Sequence, residues 1–524
     1  MRVSRWREAL LEWRRLCRTW NRRTSADGAS WSTLSGMVGS RSEFMSDIIL
    51  TSWWGSKLQR RLEVVAAVAV ILFLCRVAPE EDLTWVGWVI VGAFVVLLTV
   101  TRWPYGALFV LVGMSAMPRF FVELFGWKAR PEHFAVVIVS LAVCIWLLGS
   151  NRKIRLETPD YWVLAYVAMN YVSSAFGSSS PSETLRWALL NNSAVLPYFL
   201  IRLLVRDAET FRKAFRILLV VGIAESAYGI LCYVSHHAFG TATGIEIGQY
   251  LTDVAAPYGS LFEANLFGAY TGCIAVLALA IYLITEHRLG YLICFFVASL
   301  ASVLSFSRAA LVALVVAAAW VCWQARRARE EHRSRAATLV LAVGLILLIV
   351  VPAVGGVVQE RFAGLFTQGR LGEESAIGRL IEAQEALQEF SEHRLIGTGT
   401  ASLQLSFDWR KYVPDWTGDT SWVGNITVRI LHDTGLLGMA AFLGFLGSLG
   451  WKIRLGLRGR SSQVGMLVAL SAGALLFAIS FQATDGTLSA FPWVHLGFLA
   501  CAAILIKESN EGANAVVATA HGSI

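Results

Sequence analysis

Residues 356–424 read GVVQERFAGLFTQGRLGEESAIGRLIEAQEALQEFSEHRLIGTGTASLQLSFDWRKYVPDWTGDTSWVG. Arg361, Arg370, Arg379, Arg394, Arg410 and Lys411 stand there among ten carboxylates, in a chain that is otherwise a succession of apolar runs. Of the 524 residues, 56% are hydrophobic and 16% charged, too little polar surface for a soluble enzyme. The class is therefore all-α, a polytopic membrane helix bundle. A single long polar loop in such a chain is where chemistry is usually placed.

Outward from that loop, apolar runs able to cross a hydrocarbon core of about 30 Å lie at 63–79, 84–101, 104–117, 133–149, 160–177, 186–204, 214–235, 259–284, 289–306, 309–324, 337–355, 434–451, 463–482 and 491–507, about 14 spans. Positive charge beside a span is retained in the cytoplasm. Segment 1–61 carries 12 Lys and Arg against 5 Asp and Glu. Every other connection repeats the sign: Arg152 to Arg155, Arg206 to Arg216, Arg326 to Arg329, and Lys452 to Arg460. Both termini are thus expected in the cytoplasm, with the 235–258 and 356–424 loops outside. The expected organisation is a basic segment 1–61, a bundle 62–355 of about 11 spans, a partly helical catalytic loop 356–424, C-terminal transmembrane helices 425–507, and a disordered tail 508–524.

On this reading the net charge of +8 is a topology signal, and no nucleic-acid partner is expected. All eight cysteines fall in spans or on the cytoplasmic side, which predicts neither a disulfide framework nor a Cys-based metal site.

Within the loop, Ile377, Leu380, Ile381, Leu387 and Phe390 recur at helical spacing, predicting an amphipathic helix that lies along the membrane or caps the bundle, with Arg379 on its polar side. Gly397-Thr398-Gly399-Thr400 marks a turn after it. Trp409, Trp416 and Trp422 alternate with Asp408, Asp415 and Asp419, a pattern suited to sugar rings and hydroxyls and equally to interfacial anchoring. Arg308, where one span turns back into the next, is either a functional guanidinium or one that snorkels to headgroups. Asn170, Asn191, Asn192, Glu225, His236, His237, Glu263 and Asn265 each read, taken alone, as hydrogen bonders between helices.

Four motifs in order resemble the O-antigen ligase and polymerase superfamily: the Ser307-Arg308 turn, Pro257 to Gly268 leading into a span, the Arg379 helix leading to Gly397 and Gly399, and Gly424 to Gly438. The resemblance implies a membrane-embedded glycosyltransferase of the cytoplasmic (inner) membrane. Its donor would be a polyprenyl-diphosphate-linked glycan, its acceptor a glycan or lipid, with membrane lipid around it and no metal or other cofactor. It places Arg308 and Arg379 on the diphosphate, where arginine forks neutralise phosphate oxygens. Glu263, Asn265, Arg394, Trp416, Trp422, Asn425 and Arg429 are the expected substrate contacts.

One position departs from the pattern. The ligases carry a histidine, taken as the base, where this chain has Gly424. Asp419, His432 and Asp433 are the candidate replacements, and Asp419 is the expected base. Asp419 also reads as a helix cap. Competing readings are a lipid-linked oligosaccharide flippase, for which repeated halves are missing, and a metal-dependent transferase using Glu80-Glu81-Asp82, which reads more simply as a surface turn.

Overall fold

The computed structural model describes residues 92–521, apart from 94, 101, 121, 125–126, 151–153, 247–254, 329–372, 409–410, 413–422 and 459–462. The expected spans 63–79 and 337–355, the basic segment 1–61, and Asp419, Trp416 and Trp422 lie outside the described residues.

Each remaining apolar run from 104 onward is a helix. In chain order these are α1 (Tyr105–Ser115), α2 (Pro131–Ser150), α3 (Thr158–Phe176), α4 (Pro181–Leu204), α5 (Ala208–Phe239), α6 (Ala264–Ala280, closing in a π-turn Ile281–Thr285), α7 (Leu289–Leu304) and α8 (Arg308–Ala328). The loop contributes α9 (Glu373–Glu392) and the single turn α10 (Leu403–Ser406), and the chain ends in α11 (Ile426–Leu457), α12 (Val464–Ser480) and α13 (Ala490–His521). Among the described residues, β-structure amounts to two short antiparallel pairs, β1 (Val122–Leu124) with β2 (Trp127–Ala129) and β3 (Ile245–Glu246) with β4 (Ala256–Pro257).

Seven of the described helices are long and apolar enough to cross a membrane, and α1, α7 and α12 are shorter apolar ones. Leu141, Ile145, Leu148, Val315 and Leu443 are each more than half exposed, the outward apolar surface that lipid covers. Helix α13 runs from Ala490 to His521. Alanines at 513, 515, 518 and 520 favour the helix, and no proline lies between Glu508 and His521.

Helix α6 is the centre of the bundle. Leu266 to Ala280 are buried on every side because its glycines, alanines and Thr271 admit α5, α7, α8 and α12 closely. A second layer pairs α3 with α11 and α4 with α13.

Charged pins fix the basic end of this layer. Asp160 of α3 receives Arg202 Nη2 at 2.8 Å and Tyr198 Oη at 2.7 Å from α4. Glu157 receives Lys452 Nζ of α11 at 2.8 Å, and that bond holds the Glu157 carboxyl below its ordinary range. At the opposite end, which carries α9 and is called the loop end below, Glu225 of α5 takes the Ser260 N–H at 2.8 Å and anchors the turn that leads into α6. Gly259 has φ +59° there, and a Cβ would stand 2.2 Å from the Glu225 carboxylate.

Helix α11 is sharply bent. As a straight rod, Ile426 to Gly456 would span about 45 Å. Yet α12 joins the same two places, with Ile426 N–H bonded to the Phe481 carbonyl at 2.9 Å and Leu467 packed on Gly456. Leu467 to Phe481 cover only about 21 Å as helix. The two lengths agree only if α11 folds over, and it does so at Gly435, where φ 65° and ψ −167° leave the helical region. The segment before Gly435 carries the polar residues, and the segment after it spans.

Candidate active site

A helix broken at one residue strands backbone groups on both sides of the break. Here the loop strand 394–399 supplies them. The Leu436 and Leu437 N–H groups donate to the carbonyls of Arg394 and Leu395 at 2.8 and 3.1 Å, and the His432 and Asp433 carbonyls accept from Thr398 and Gly399 at 3.0 Å each. Two glycines make the approach feasible. A Cβ on Gly397 would lie 2.6 Å from the Asp433 and Gly435 backbone, and both Gly397 and Gly399 have positive φ. Thr400 closes the contact on α3, donating to Asn170 Oδ1 at 3.1 Å, which also receives Asn191 Nδ2 at 3.2 Å. The expected turn and the expected inter-helix asparagines are thus one joint.

The short segment Ile426–Thr434 presents three charged groups inward. Arg429, 3% exposed, pairs with Asp485 at 2.6 Å and donates to Thr487, both in the turn between α12 and α13. His432 is fully buried between two carboxylates: Nδ1 is 2.9 Å from Asp433 Oδ1 and Nε2 is 2.9 Å from Glu389 Oε2 of α9. Two carboxylate partners require both ring nitrogens to donate, which is the imidazolium form. Glu389 is held below its ordinary pKa, first by its bond to His432 and then by Ser406, so its charge is fixed as well. Asp433 Oδ2 accepts the Ala401 N–H at 3.1 Å.

Helix α9 forms where the spacing predicts it, but the face that docks differs. Leu380 and Leu387 are 67% and 43% exposed, whereas Ala386 is buried with Leu403 and Val423, and Glu382 and Glu389 turn the same way. Positions 379, 382, 386 and 389 share one side of a helix, so Arg379 faces the bundle. Its Cγ and Cδ lie 3.6 and 3.7 Å from where a Cβ on Gly424 would stand. The Arg379 stem thus runs beside Gly424 at ordinary van der Waals distance from such a Cβ.

Beyond Arg379 comes Glu263, the residue before α6. Its Oε1 accepts from Thr484 Oγ1, and the charges of Arg379, Glu246 and Asp485 all reach it. Loss of solvent raises the Glu263 pKa, Thr484 and Arg379 pull it down, and Glu246 and Asp485 push it up, with the net upward. Arg308 opens α8 at the same end. Phe306, two residues earlier, packs on Ala264, and a Cβ on Gly268 would meet the Ser305 hydroxyl at 2.3 Å. Ser307 Oγ accepts the Ala310 N–H at 3.4 Å, capping α8 and fixing where Arg308 begins. Arg308 and Arg379 are half-buried.

The structure thus brings Glu263 and Arg379 into one electrostatic neighbourhood beside Gly424, and sets Arg308 and Asn265 at the same end of α6. Asn425 is a cap, accepting the Val428 N–H at 3.0 Å and donating to the Gln482 carbonyl at 2.9 Å. Arg429, expected at substrate, is enclosed by its ion pair with Asp485. Arg394 is exposed, with its Nε donating to the Ser391 carbonyl at 3.1 Å. The signal for Glu389 as a partner of His432 was its place on the Arg379 face of the helix.

Residues 293–443 match the family model described as O-antigen ligase. The matched segment includes Arg308, Arg379, Arg394, Asn425, Arg429 and His432. This segment is therefore similar to the O-antigen ligase family, which supports the likeness of its motifs to the O-antigen ligase and polymerase superfamily. No curated protein matches the chain.

Proposed function

We propose that this protein is a glycosyltransferase of the cytoplasmic membrane that polymerises or ligates a polyprenyl-diphosphate-linked surface glycan on the outer face, without a metal. The loop end is the outer end in this reading, with both termini in the cytoplasm. An acceptor hydroxyl attacks the anomeric carbon of the donor. The bond from that carbon to the diphosphate oxygen breaks, and its electron pair leaves with the polyprenyl diphosphate. Arg308 and Arg379 meet the growing negative charge, and a preorganised cation acting there lowers the barrier directly. Trp416 and Trp422 stack on sugar rings, Asn265 and Arg394 contact the substrates, and the acceptor proton goes to a carboxylate because Gly424 has no group to take it. Asp419 is the sequence-based candidate for that carboxylate.

The observation that carries the reading is Arg379 turned into the bundle beside Gly424, within a segment that matches the O-antigen ligase family. Purified protein in detergent, given a polyprenyl-diphosphate-linked glycan and an acceptor with a chelator present, is expected to release polyprenyl diphosphate and lengthen or transfer the glycan. Movement of the lipid-linked glycan across vesicles with no diphosphate released would favour the flippase reading instead.

A further inference from the structure

Five of the described carboxylates at the loop end, Glu246, Glu263, Glu389, Asp433 and Asp485, are not equivalent. Glu389 is committed to His432 and to Ser406 Oγ at 2.8 Å. Asp433 holds His432 with one oxygen and the Ala401 N–H with the other. Asp485 is tied to Arg429 through Oδ2, and its Oδ1 accepts the Thr487 N–H at 3.0 Å. Glu246 accepts the Ala264 N–H at 2.9 Å through Oε2 and has a further interaction besides. Glu263 differs: Oε1 has Thr484, while Oε2 accepts no hydrogen bond among the described residues, and the side chain is only half-buried.

A carboxylate that is to accept a proton needs a free lone pair aimed at open space, and a committed one has none. We infer that Glu263 is the general base of this enzyme, standing in for the histidine that Gly424 replaces; the inference rests on the glycosyl-transfer reading above. Arg379 joins the two places, since its stem lies over Gly424 and its charge reaches Glu263.

In the step, Glu263 Oε2 takes the proton of the acceptor hydroxyl as its oxygen bonds to the anomeric carbon. The glycosyl–diphosphate bond breaks, and the negative charge passes from Glu263 to the departing lipid diphosphate. The neutral Glu263 then loses its proton to water. Arg379, the cation among the described groups that act on Glu263, then faces the diphosphate without a competing charge on Glu263. Thr484 orients the carboxylate and survives the change, since a hydroxyl can donate to the acid's carbonyl oxygen as well.

The test uses the full chain in detergent and follows polyprenyl diphosphate release. Glu263→Gln keeps an oxygen for Thr484 and should fold, yet lose about 10²–10⁴ in rate. Among the described residues, the groups acting on Glu263 are Thr484, Arg379, Glu246 and Asp485. With its pKa raised, activity of the unaltered protein should fall as pH drops through a value above the ordinary carboxylate range. That limb should vanish in the residual activity of Glu263→Gln. Glu263→Ala should regain activity with added formate, which a purely structural role does not allow. Near-normal rate and an unchanged acid limb in Glu263→Gln would overturn the assignment, and a steep loss in Asp419→Asn alongside would move the base to Asp419. No release by the unaltered protein would instead overturn the transfer reading itself.

Discussion

The two parts of α11 are consecutive helical segments that meet at Gly435, and they are two different objects by chemistry. From Ile426 to Thr434 the buried residues include Arg429, His432 and Asp433, paired respectively with Asp485, with Glu389 of α9 and with the Ala401 N–H. From Leu436 onward, Leu436, Leu437, Leu443, Leu446, Trp451 and Leu455 are exposed, and the segment meets its neighbours through Gly438, Ala441, Phe445 and Leu449. The first part is held by charge and directed hydrogen bonds, the second by close packing with lipid on its far side. Gly435 is the boundary, and the strand 394–399 seals it. The polar loop is thereby fastened to the bundle at the place where the bundle ceases to be apolar, and Arg379 is positioned by that fastening.

The contrast can be broken most severely at Arg429. Arg429→Ala leaves Asp485 buried without its cation and is expected to cost about 3–5 kcal/mol of stability, read as thermal unfolding in detergent. Replacing both by apolar residues of similar size should recover most of it, because the loss comes from the stranded charge.

Gly435→Ala comes next. A methyl group there would stand 2.4 Å from the Leu395 carbonyl at φ 65°, and the expected loss is on the order of 3 kcal/mol. Gly447→Ala and Gly450→Ala sharpen the same comparison in the other part of the helix. Nothing lies within 4 Å of either added methyl, so both should be neutral or stabilising by roughly 0.5–1 kcal/mol.

Weaker still is the tie between α9 and His432. The Glu389 side chain is 33% exposed, so Glu389→Gln should cost only about 1 kcal/mol after screening, and should show first as faster hydrogen exchange in α9. Because Glu389 has its pKa lowered by folding, its contribution is complete above its ordinary value of 4.5 and is lost as pH falls through the depressed one. Protection of α9 should therefore weaken on acidification in the unaltered protein and be less pH-dependent in Glu389→Gln. The smallest effect belongs to the basic end: Glu157→Gln removes a partly exposed pair with Lys452 and should change stability by less than about 1 kcal/mol.

The helices of this bundle are legible in its sequence because a bilayer imposes length and apolarity on each of them, and α9 is legible from the spacing of Ile377, Leu380 and Ile381. Its docking side is not legible. Apolar residues point to the core in a soluble protein, whereas at a membrane Leu380 and Leu387 can remain outside while Ala386 and Glu389 dock. The bend at Gly435 is hidden for a similar reason: Gly438, Gly444, Gly447 and Gly450 follow in the same helix without breaking it, and only the partners from 394–399 distinguish the one that does. Arg308 and Arg379 emerge as candidates from charge near a membrane and from the family pattern. Glu263 stands out only when the commitments of Glu246, Glu389, Asp433 and Asp485 are visible, because a sequence shows carboxylates and not which of their oxygens are free.

The central claim is that Arg308 and Arg379 hold one leaving group together. Its most direct measurement is a double-mutant cycle on the rate of polyprenyl diphosphate release, with Arg308→Lys, Arg379→Lys and the pair. Lysine keeps the charge and loses the fork that grips two phosphate oxygens. Each single change is expected to reduce the rate by about 10²–10³, and the pair by clearly less than the product of the two, a coupling of about 0.5–3 kcal/mol. Near-normal rates in either single variant, or losses that simply multiply in the pair, would contradict joint action on one diphosphate.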